Sequence, residues 1–123
     1  MIDIRISVQP SYLPDQSHPE QQTYVFAYQI TLTNRSPVVA QLLRRSWRIT
    51  DGTGQVQEVH GDGVVGMQPR LEASGGTFQY SSHAILSTPI GWMEGFYEFT
   101  DTTGSIHQVP IARFTLVVPG ILN

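Results

Sequence analysis

The chain has 123 residues, of which 40% are apolar and only 14% are charged, and its formal net charge is −3 at neutral pH. This balance predicts one folded domain, residues 1–123, and excludes a disordered chain and a basic nucleic-acid-binding surface. Cysteine and lysine are both absent. Disulfides, thiolate metal sites, a P-loop lysine and a polybasic membrane patch are therefore excluded as well.

Targeting and membrane segments are not expected. Charged residues interrupt the apolar residues at the N-terminus, unlike the apolar region of a signal peptide. No apolar run reaches the 18 residues that a membrane helix needs. We therefore expect a cytoplasmic protein that contacts neither a membrane nor nucleic acid.

Alternation of apolar and polar residues dominates the first third of the chain and predicts β-strands. Apolar residues occupy every second position over residues 2–8 and again over residues 24–32. Between these segments, residues 10–20 contain three prolines, which is typical of a loop. The sequence thus predicts two strands joined by a loop.

The segment 38–51 fits two structures. Val39, Leu43 and Trp47 are four residues apart, as on one face of a helix. Leu43, Arg45, Trp47 and Ile49 also share one face of a strand. Two valines open the segment, and valine favours strands, so we predict a strand.

The remainder of the chain alternates in the same way. Residues 68–76 follow the glycine-rich stretch and are predicted to form a loop. Near Pro110 the apolar positions change from odd to even numbers, which indicates a bulge or bend. The predicted strands of this part cover residues 55–60, 77–82, 92–100 and 105–118.

About seven short strands separated by turns indicate an all-β fold, an antiparallel β-sandwich of the immunoglobulin-like or fibronectin type III-like kind. Gly95, Tyr97 and Phe99 have the spacing of an immunoglobulin strand F, with Phe99 where the second cysteine would lie. Tyr97 is therefore predicted to form a tyrosine corner, with its hydroxyl bonded to the preceding loop. Trp47 is predicted to lie in the core, as are the strand aromatics Trp92 and Phe96.

Six segments in order resemble the ApaG family of bacterial proteins, also called CorD. One departure is the loop before Phe78, where this chain has Ala-Ser-Gly-Gly and family members commonly have Pro-Gly. The matching segments are Tyr24-x-Phe26-x-Tyr28, Gln41-Leu42-Leu43-x-Arg45-x-Trp47, Gly61-x-Gly63-Val64-Val65-Gly66-x-x-Pro69-x-Leu71, Phe78-x-Tyr80-x-Ser82, Gly91-x-Met93-x-Gly95-x-Tyr97 and Val109-Pro110-Ile111-x-x-Phe114.

The resemblance implies a fibronectin type III-like or immunoglobulin-like sandwich and no established enzyme activity. It implies a link by gene neighbourhood to diadenosine tetraphosphate hydrolysis, and by phenotype to cobalt resistance and magnesium efflux. Related eukaryotic domains occur in F-box proteins and in a DNA-polymerase-interacting protein as interaction modules.

Gly61, Gly63 and Gly66 form a G-x-G-x-x-G pattern, which in the family has been read as a pyrophosphate-binding motif. A dinucleotide fingerprint opens a helix, but Pro69 follows closely and no helical pattern succeeds it. Asp62 also places a carboxylate inside the loop. The alternative is a tight turn or bulge that needs positive φ at Gly61 and Gly63.

Arg44, Arg45 and Arg48 form the one basic cluster of the sequence. Arginine forks bind phosphate in a bidentate manner, so Arg44 and Arg48 are candidate ligands for a nucleotide or pyrophosphate held by the glycine loop. The alternative is a solvated strand face, with Arg45 paired to a carboxylate.

Glu58, His60 and Asp62 are candidate metal ligands, because every second residue of a strand projects from one face. Nitrogen and oxygen donors of this kind suit a divalent transition metal. The alternative is a row of polar residues on an exposed strand. A nucleophilic triad has no support, since G-x-S-x-G is absent, and neither an enzyme nor a cofactor is expected.

Three functional hypotheses remain at this point. The first is a non-enzymatic binding module that presents a face or an edge to an unidentified protein partner, with a homodimer as one form of it. The second is a sensor for a nucleotide such as ATP or diadenosine tetraphosphate at the glycine loop. The third is a protein that handles divalent metals.

Overall fold

The computed structural model describes residues 2–121, so residues 1, 122 and 123 of the predicted domain lie outside the described part. Within residues 2–121 there are eight strands and two 3₁₀ turns, at Pro14–Gln16 and Pro19–Gln21. No helix in this part of the chain has the length and apolar character needed to cross a membrane. The strands are β1 (Ile4–Tyr12), β2 (Tyr24–Asn34), β3 (Ala40–Asp51), β4 (Val56–Asp62), β5 (Arg70–Leu71), β6 (Thr77–Leu86), β7 (Ile90–Thr100) and β8 (Ile106–Val117).

Two antiparallel sheets form the predicted sandwich. One sheet has the order β1-β2-β6, and the other has the order β4-β3-β7-β8 with the two-residue strand β5 added to β3. The immunoglobulin-like or fibronectin type III-like architecture is thereby confirmed, with eight strands rather than about seven. The additional strand is β5, which lies in the segment that was predicted to be a loop.

The inner faces of the two sheets carry the core, as the alternation predicted. Ile30 and Leu32 of β2 pack opposite Leu42 and Phe99 of the other sheet, and all four side chains are inaccessible to solvent. Trp47 is 3% exposed. Its indole makes edge-on contacts with three aromatic rings, which is a favourable geometry for aromatic pairs. The predicted burial of Trp47 is confirmed.

Two bulges interrupt the five-stranded sheet. In β3 the register shifts between Leu42 and Arg44, so Leu42 is fully buried while Leu43 is only partly buried. The prediction that Leu43 shares the face of Trp47 is therefore wrong, because the extra residue reverses the alternation. In β8 two residues, 112 and 113, oppose Glu94 of β7, which confirms the phase change predicted near Pro110.

Strand β1 continues through the segment that was predicted to be a loop. Pro10 pairs with Tyr28 and the strand ends at Tyr12. β1 lies at the edge of its sheet, where a residue without a backbone N–H is tolerated because one side of the strand has no partner. The loop prediction is correct only beyond Tyr12.

Tyr97 does not form the predicted tyrosine corner. Its hydroxyl lies 2.5 Å from the hydroxyl of Tyr80, so the bond crosses the sandwich from β7 to β6. Both rings are buried, with 0% of Tyr97 and 7% of Tyr80 exposed. Each hydroxyl is thus the polar partner of the other inside an apolar core.

The Tyr80–Tyr97 bond predicts a non-additive pair of substitutions. Tyr80→Phe or Tyr97→Phe should lower the free energy of unfolding by about 1–3 kcal/mol, because each leaves a buried hydroxyl without its partner. The double variant should lose less than the sum of the two, because no orphaned hydroxyl remains. Urea unfolding of the four proteins at equal m-values measures the coupling, and strict additivity would reject the bond.

The same pair predicts loss of stability at alkaline pH. Burial raises the pKa of Tyr80 to about 12. Burial is also the main cause that raises the pKa of Tyr97, and the neighbouring Tyr80 raises it further. The unfolded chain releases these protons near pH 10, whereas the folded chain keeps them. Stability is therefore complete below pH 10 and falls above it, by about 1.4 kcal/mol per pH unit for each tyrosine.

The double variant Tyr80→Phe/Tyr97→Phe supplies the control for the alkaline effect. Its free energy of unfolding should fall less steeply between pH 10 and 12 than that of the wild type. Chemical denaturation at several pH values compares the two slopes. Equal slopes would show that these two hydroxyls do not cause the alkaline loss of stability.

Candidate functional site

The three clustered arginines point to opposite sides of the five-stranded sheet. Arg44 and Arg48 are exposed on its outer side. Arg45 is partly buried and its Nη1 donates hydrogen bonds to the carbonyl oxygens of Asp62 (3.0 Å) and Gly63 (2.8 Å). Within residues 2–121 no carboxylate lies within 4 Å of Arg45, so its partner is the loop backbone and not the predicted carboxylate.

The glycine loop is a tight hairpin turn. Val64 and Met67 exchange two backbone hydrogen bonds of 2.8 and 2.9 Å, and the residues between them, Val65 and Gly66, have φ values of +44° and +78°. Two positive φ values in a two-residue loop define a type I′ turn. Gly63, with φ of +63°, leads the chain from β4 into this turn.

Gly61 has a different role from the one predicted. It lies inside β4 and lacks a positive φ, so the expectation of a left-handed conformation there is wrong. A Cβ on Gly61 would lie 2.9 Å from both terminal nitrogens of Arg45. The missing side chain therefore leaves room for the guanidinium that ties down the loop.

The geometry of this loop does not favour phosphate binding. The backbone N–H groups of Gly63, Val64 and Met67 already donate to carbonyl oxygens within the fold, whereas an anion nest needs such groups free. The exposed Asp62 carboxylate lies 3.9 Å from Nε of Arg44 and would repel a phosphate. The pyrophosphate hypothesis for Gly61, Gly63, Gly66, Arg44 and Arg48 thus stays a prediction without geometric support.

The outer face of the five-stranded sheet is concave. It forms an open groove of about 1050 Å³ that crosses β4, β3, β7 and β8. Sequence neighbours on each strand alternate between this face and the core. The charged and aromatic side chains that define the outer face are Glu58, His60 and Asp62 of β4, Arg44 and Arg48 of β3, Trp92, Glu94, Phe96 and Glu98 of β7, and Arg113 of β8.

Trp92 and Phe96 lie on the outer face and not in the core, where they were predicted. Both are partly exposed, and the guanidinium of Arg113 lies 5.3 Å from the centre of the Trp92 ring, within the range of a cation–π contact. The neighbouring residues Met93, Tyr97 and Phe99 take the buried positions of β7. Because β7 has apolar residues at both odd and even positions, the sequence pattern does not show which of them face the core.

Most charges on the outer face have a neighbour of opposite sign. Arg113 Nη2 lies 3.2 Å from Glu94, and Arg44 Nε lies 3.9 Å from Glu98. Arg48 is an exception: among residues 2–121 no carboxylate lies within 4 Å of its guanidinium. Exposed pairs of this kind contribute little to stability, so these side chains are free to exchange partners.

The predicted metal ligands lie along the outer side of β4, and their partners include side chains of β3. His60 Nδ1 is 2.8 Å from Ser46 Oγ, and its Nε2 is 3.5 Å from Glu58. Asp62 faces Arg44. Within residues 2–121 no three histidine or carboxylate side chains come close enough to hold one ion. The metal hypothesis therefore stays a prediction without geometric support.

The fold and the site define a class, a two-sheet immunoglobulin-like sandwich with a charged and aromatic groove on its larger sheet. A family profile described as the ApaG domain matches residues 14–101. The chain belongs to the ApaG family. The resemblance predicted from the six segments is thus confirmed.

The comparisons with individual proteins agree with this assignment. The chain is 50% identical to the protein ApaG of Acidithiobacillus ferrooxidans over 121 residues, which cover 98% of this chain and 94% of that one. Identity to the protein ApaG of Bordetella pertussis is also 50%, with coverage of 98% and 92%.

Solved structures extend the agreement to the fold. The crystal structure of the ApaA protein from Bordetella pertussis has a TM-score of 0.93 at 50% identity, and the match covers 97% of this chain and 96% of that one. A second X-ray structure, a structural-genomics target, has a TM-score of 0.90 at 39% identity, with coverage of 96% and 89%. The names of these proteins state no activity, ligand or partner.

The geometry of the glycine loop predicts unequal effects of two alanine substitutions. A Cβ on Gly63 would overlap the carbonyl oxygen of Met67, whereas a Cβ on Gly66 would meet nothing within 4 Å. Both residues have positive φ, which costs an alanine about 1–2 kcal/mol. Gly66→Ala should show that cost alone, and Gly63→Ala should lower the free energy of unfolding by about 3 kcal/mol or more because an atomic overlap is added.

Gly66→Ala is the matched control for the overlap at Gly63, since the two share the same backbone strain. Urea denaturation measures both variants against the wild type. If Gly63→Ala were no less stable than Gly66→Ala, the close packing of Gly63 against Met67 would be refuted.

Proposed function

We propose that this ApaG-family protein is a non-enzymatic binding module of the cytoplasm that presents the outer face of its five-stranded sheet to another protein. The observation that carries the proposal is the open groove of about 1050 Å³ with two partly exposed aromatic rings at its centre. A tryptophan and a phenylalanine in a broad concavity give a protein partner apolar area to bury. Protein interfaces are enriched in aromatic residues and arginine, and this groove combines both.

The outer side of the smaller sheet provides the contrast. Its central side chains are small or uncharged: Gln29 and Thr31 of β2, and Gln79 and Ser81 of β6. Gln79 Nε2 donates to Thr31 Oγ1 at 3.0 Å. Polar side chains of this kind are well solvated and offer little apolar area. One apolar residue on this side, Ile85, is 62% exposed, but it lies at the end of β6. The centres of the two faces therefore differ in exposed apolar area, and the centre of the larger sheet carries the aromatic rings.

The phenotypes that the family resemblance implies are compatible with this proposal if the bound partner causes them. Cobalt resistance and magnesium efflux would follow from what the outer face binds, and not from an ion held by Glu58, His60 and Asp62. The proposal therefore requires no metal site on this chain.

Photo-crosslinking in cells tests the proposed face. A benzoylphenylalanine residue replaces Arg48 at the centre of the outer face, and in a matched protein it replaces Gln29 at the centre of the other sheet. Both positions are exposed in the middle of a strand. Irradiation should produce discrete crosslinked protein bands from position 48, and at least several-fold less crosslinked product from position 29.

Two further measurements complete the crosslinking experiment. Thermal unfolding must show that both proteins retain the stability of the wild type, so that the comparison concerns the surface alone. Equal crosslinking from the two positions, or none from position 48, would contradict the proposed face.

A further inference from the structure

The charges on the outer face form columns of alternating sign. Each strand contributes charges of one sign: carboxylates on β4, Arg44 and Arg48 on β3, Glu94 and Glu98 on β7, and Arg113 on β8. The sheet register places these charges in rows, since Arg44 pairs with Glu98 and Arg48 pairs with Glu94 across β3 and β7. Negative and positive columns thus follow one another across the whole face.

Side-chain size alternates across the same two central strands. Ser46 of β3 lies directly opposite Phe96 of β7, and Thr50 lies opposite Trp92. Ser46 and Thr50 are small side chains that line the groove, and Ser46 Oγ lies 2.8 Å from His60 Nδ1, so the β3 side of each pair is lower than the neighbouring ring. The face therefore carries two raised aromatic positions and two adjacent lower positions.

Charge, and the alternation of side-chain size along β3 and β7, are both complementary to a rotated copy of the same face. A twofold axis that runs along the strands, midway between β3 and β7, exchanges β3 with β7 and β4 with β8. It brings arginines of one copy against glutamates of the other, and each aromatic ring against the lower position at Ser46 or Thr50. A twofold axis across the strands would instead bring β3 against β3, and therefore arginine against arginine.

We infer that the outer face is the isologous interface of a homodimer, with the twofold axis parallel to the strands. The inference rests on the proposed function, because it names the partner of that face as a second copy of this chain. In such a dimer Arg48, which lacks a close carboxylate within its own chain, faces Glu94 of the second copy. In an interface of this symmetry each contact occurs twice.

The face is small for the interface of a stable dimer. Four strands spaced by about 4.8 Å and about seven residues long give a footprint of roughly 20 by 25 Å. This is below the area of about 800 Å² per partner that is typical of stable complexes. The dimer should therefore be transient, and the mass should depend on concentration.

Sedimentation equilibrium with charge-exchanged variants tests the register. The wild type should pass from the mass of one chain to that of two as its concentration rises. Arg48→Glu and Glu94→Arg should each raise the dissociation constant at least tenfold, because each homodimer then opposes like charges twice. An equimolar mixture of the two should associate about as tightly as the wild type, since both sites then pair opposite charges.

Arg44→Glu with Glu98→Arg repeats the experiment at an independent pair of positions and guards against a variant that fails to fold. Arg5→Glu and Arg35→Glu, on exposed positions away from the groove, serve as controls and should leave the mass unchanged. A monomer at every concentration, or mixtures that fail to restore association, would overturn the homodimer. If position 48 still crosslinked to a different protein, the binding face would stand and only its occupant would be wrong.

Discussion

The bulge at Leu43 decides which side chains of β3 face the core and which face solvent. Because side chains alternate along a strand, a slip of one residue exchanges the two faces completely. Leu42 packs into the core before the bulge and Trp47 packs there after it. In a regular strand Leu42 and Trp47 would point to opposite faces of the sheet. Either Leu42 would then lie on the outer face, or Trp47 would lie there and Arg44 and Arg48 would point into the core. The core and the outer face therefore depend on the same extra residue.

The glycine loop follows from the same alternation. The bulge turns Arg45 to the inner side of the sheet, where it donates to the carbonyl oxygens of Asp62 and Gly63. A partly buried guanidinium needs such acceptors, and these carbonyls need donors once they leave the ladder of β4. Gly61 provides the space for this contact. The glycine pattern is thus explained by packing against an arginine and by a type I′ turn, without a ligand.

Alternation along the chain was sufficient to predict most of the strands and the sandwich, because that signal is local. It was insufficient wherever the partner of a residue lies far away in sequence. Tyr97 has the local spacing of a tyrosine corner, yet its hydroxyl bonds to Tyr80 on the opposite sheet. Strand β7 has aromatic residues at both odd and even positions, so the sequence could not tell that Phe96 faces outward while Phe99 is buried.

The outer face shows why charge pattern alone is a weak guide to binding. Opposite charges on neighbouring strands stabilise a sheet by about 0.2–1 kcal/mol for each pair, so alternating columns also suit a face in contact with water alone. Charge pairing between neighbouring strands does not explain two features of the face. Arg48 lies between two glutamates of its row and is within 4 Å of neither, and two aromatic rings stand partly exposed beside the smaller Ser46 and Thr50. Contact with water alone does not stabilise exposed aromatic rings, whereas a complementary protein surface would bury them.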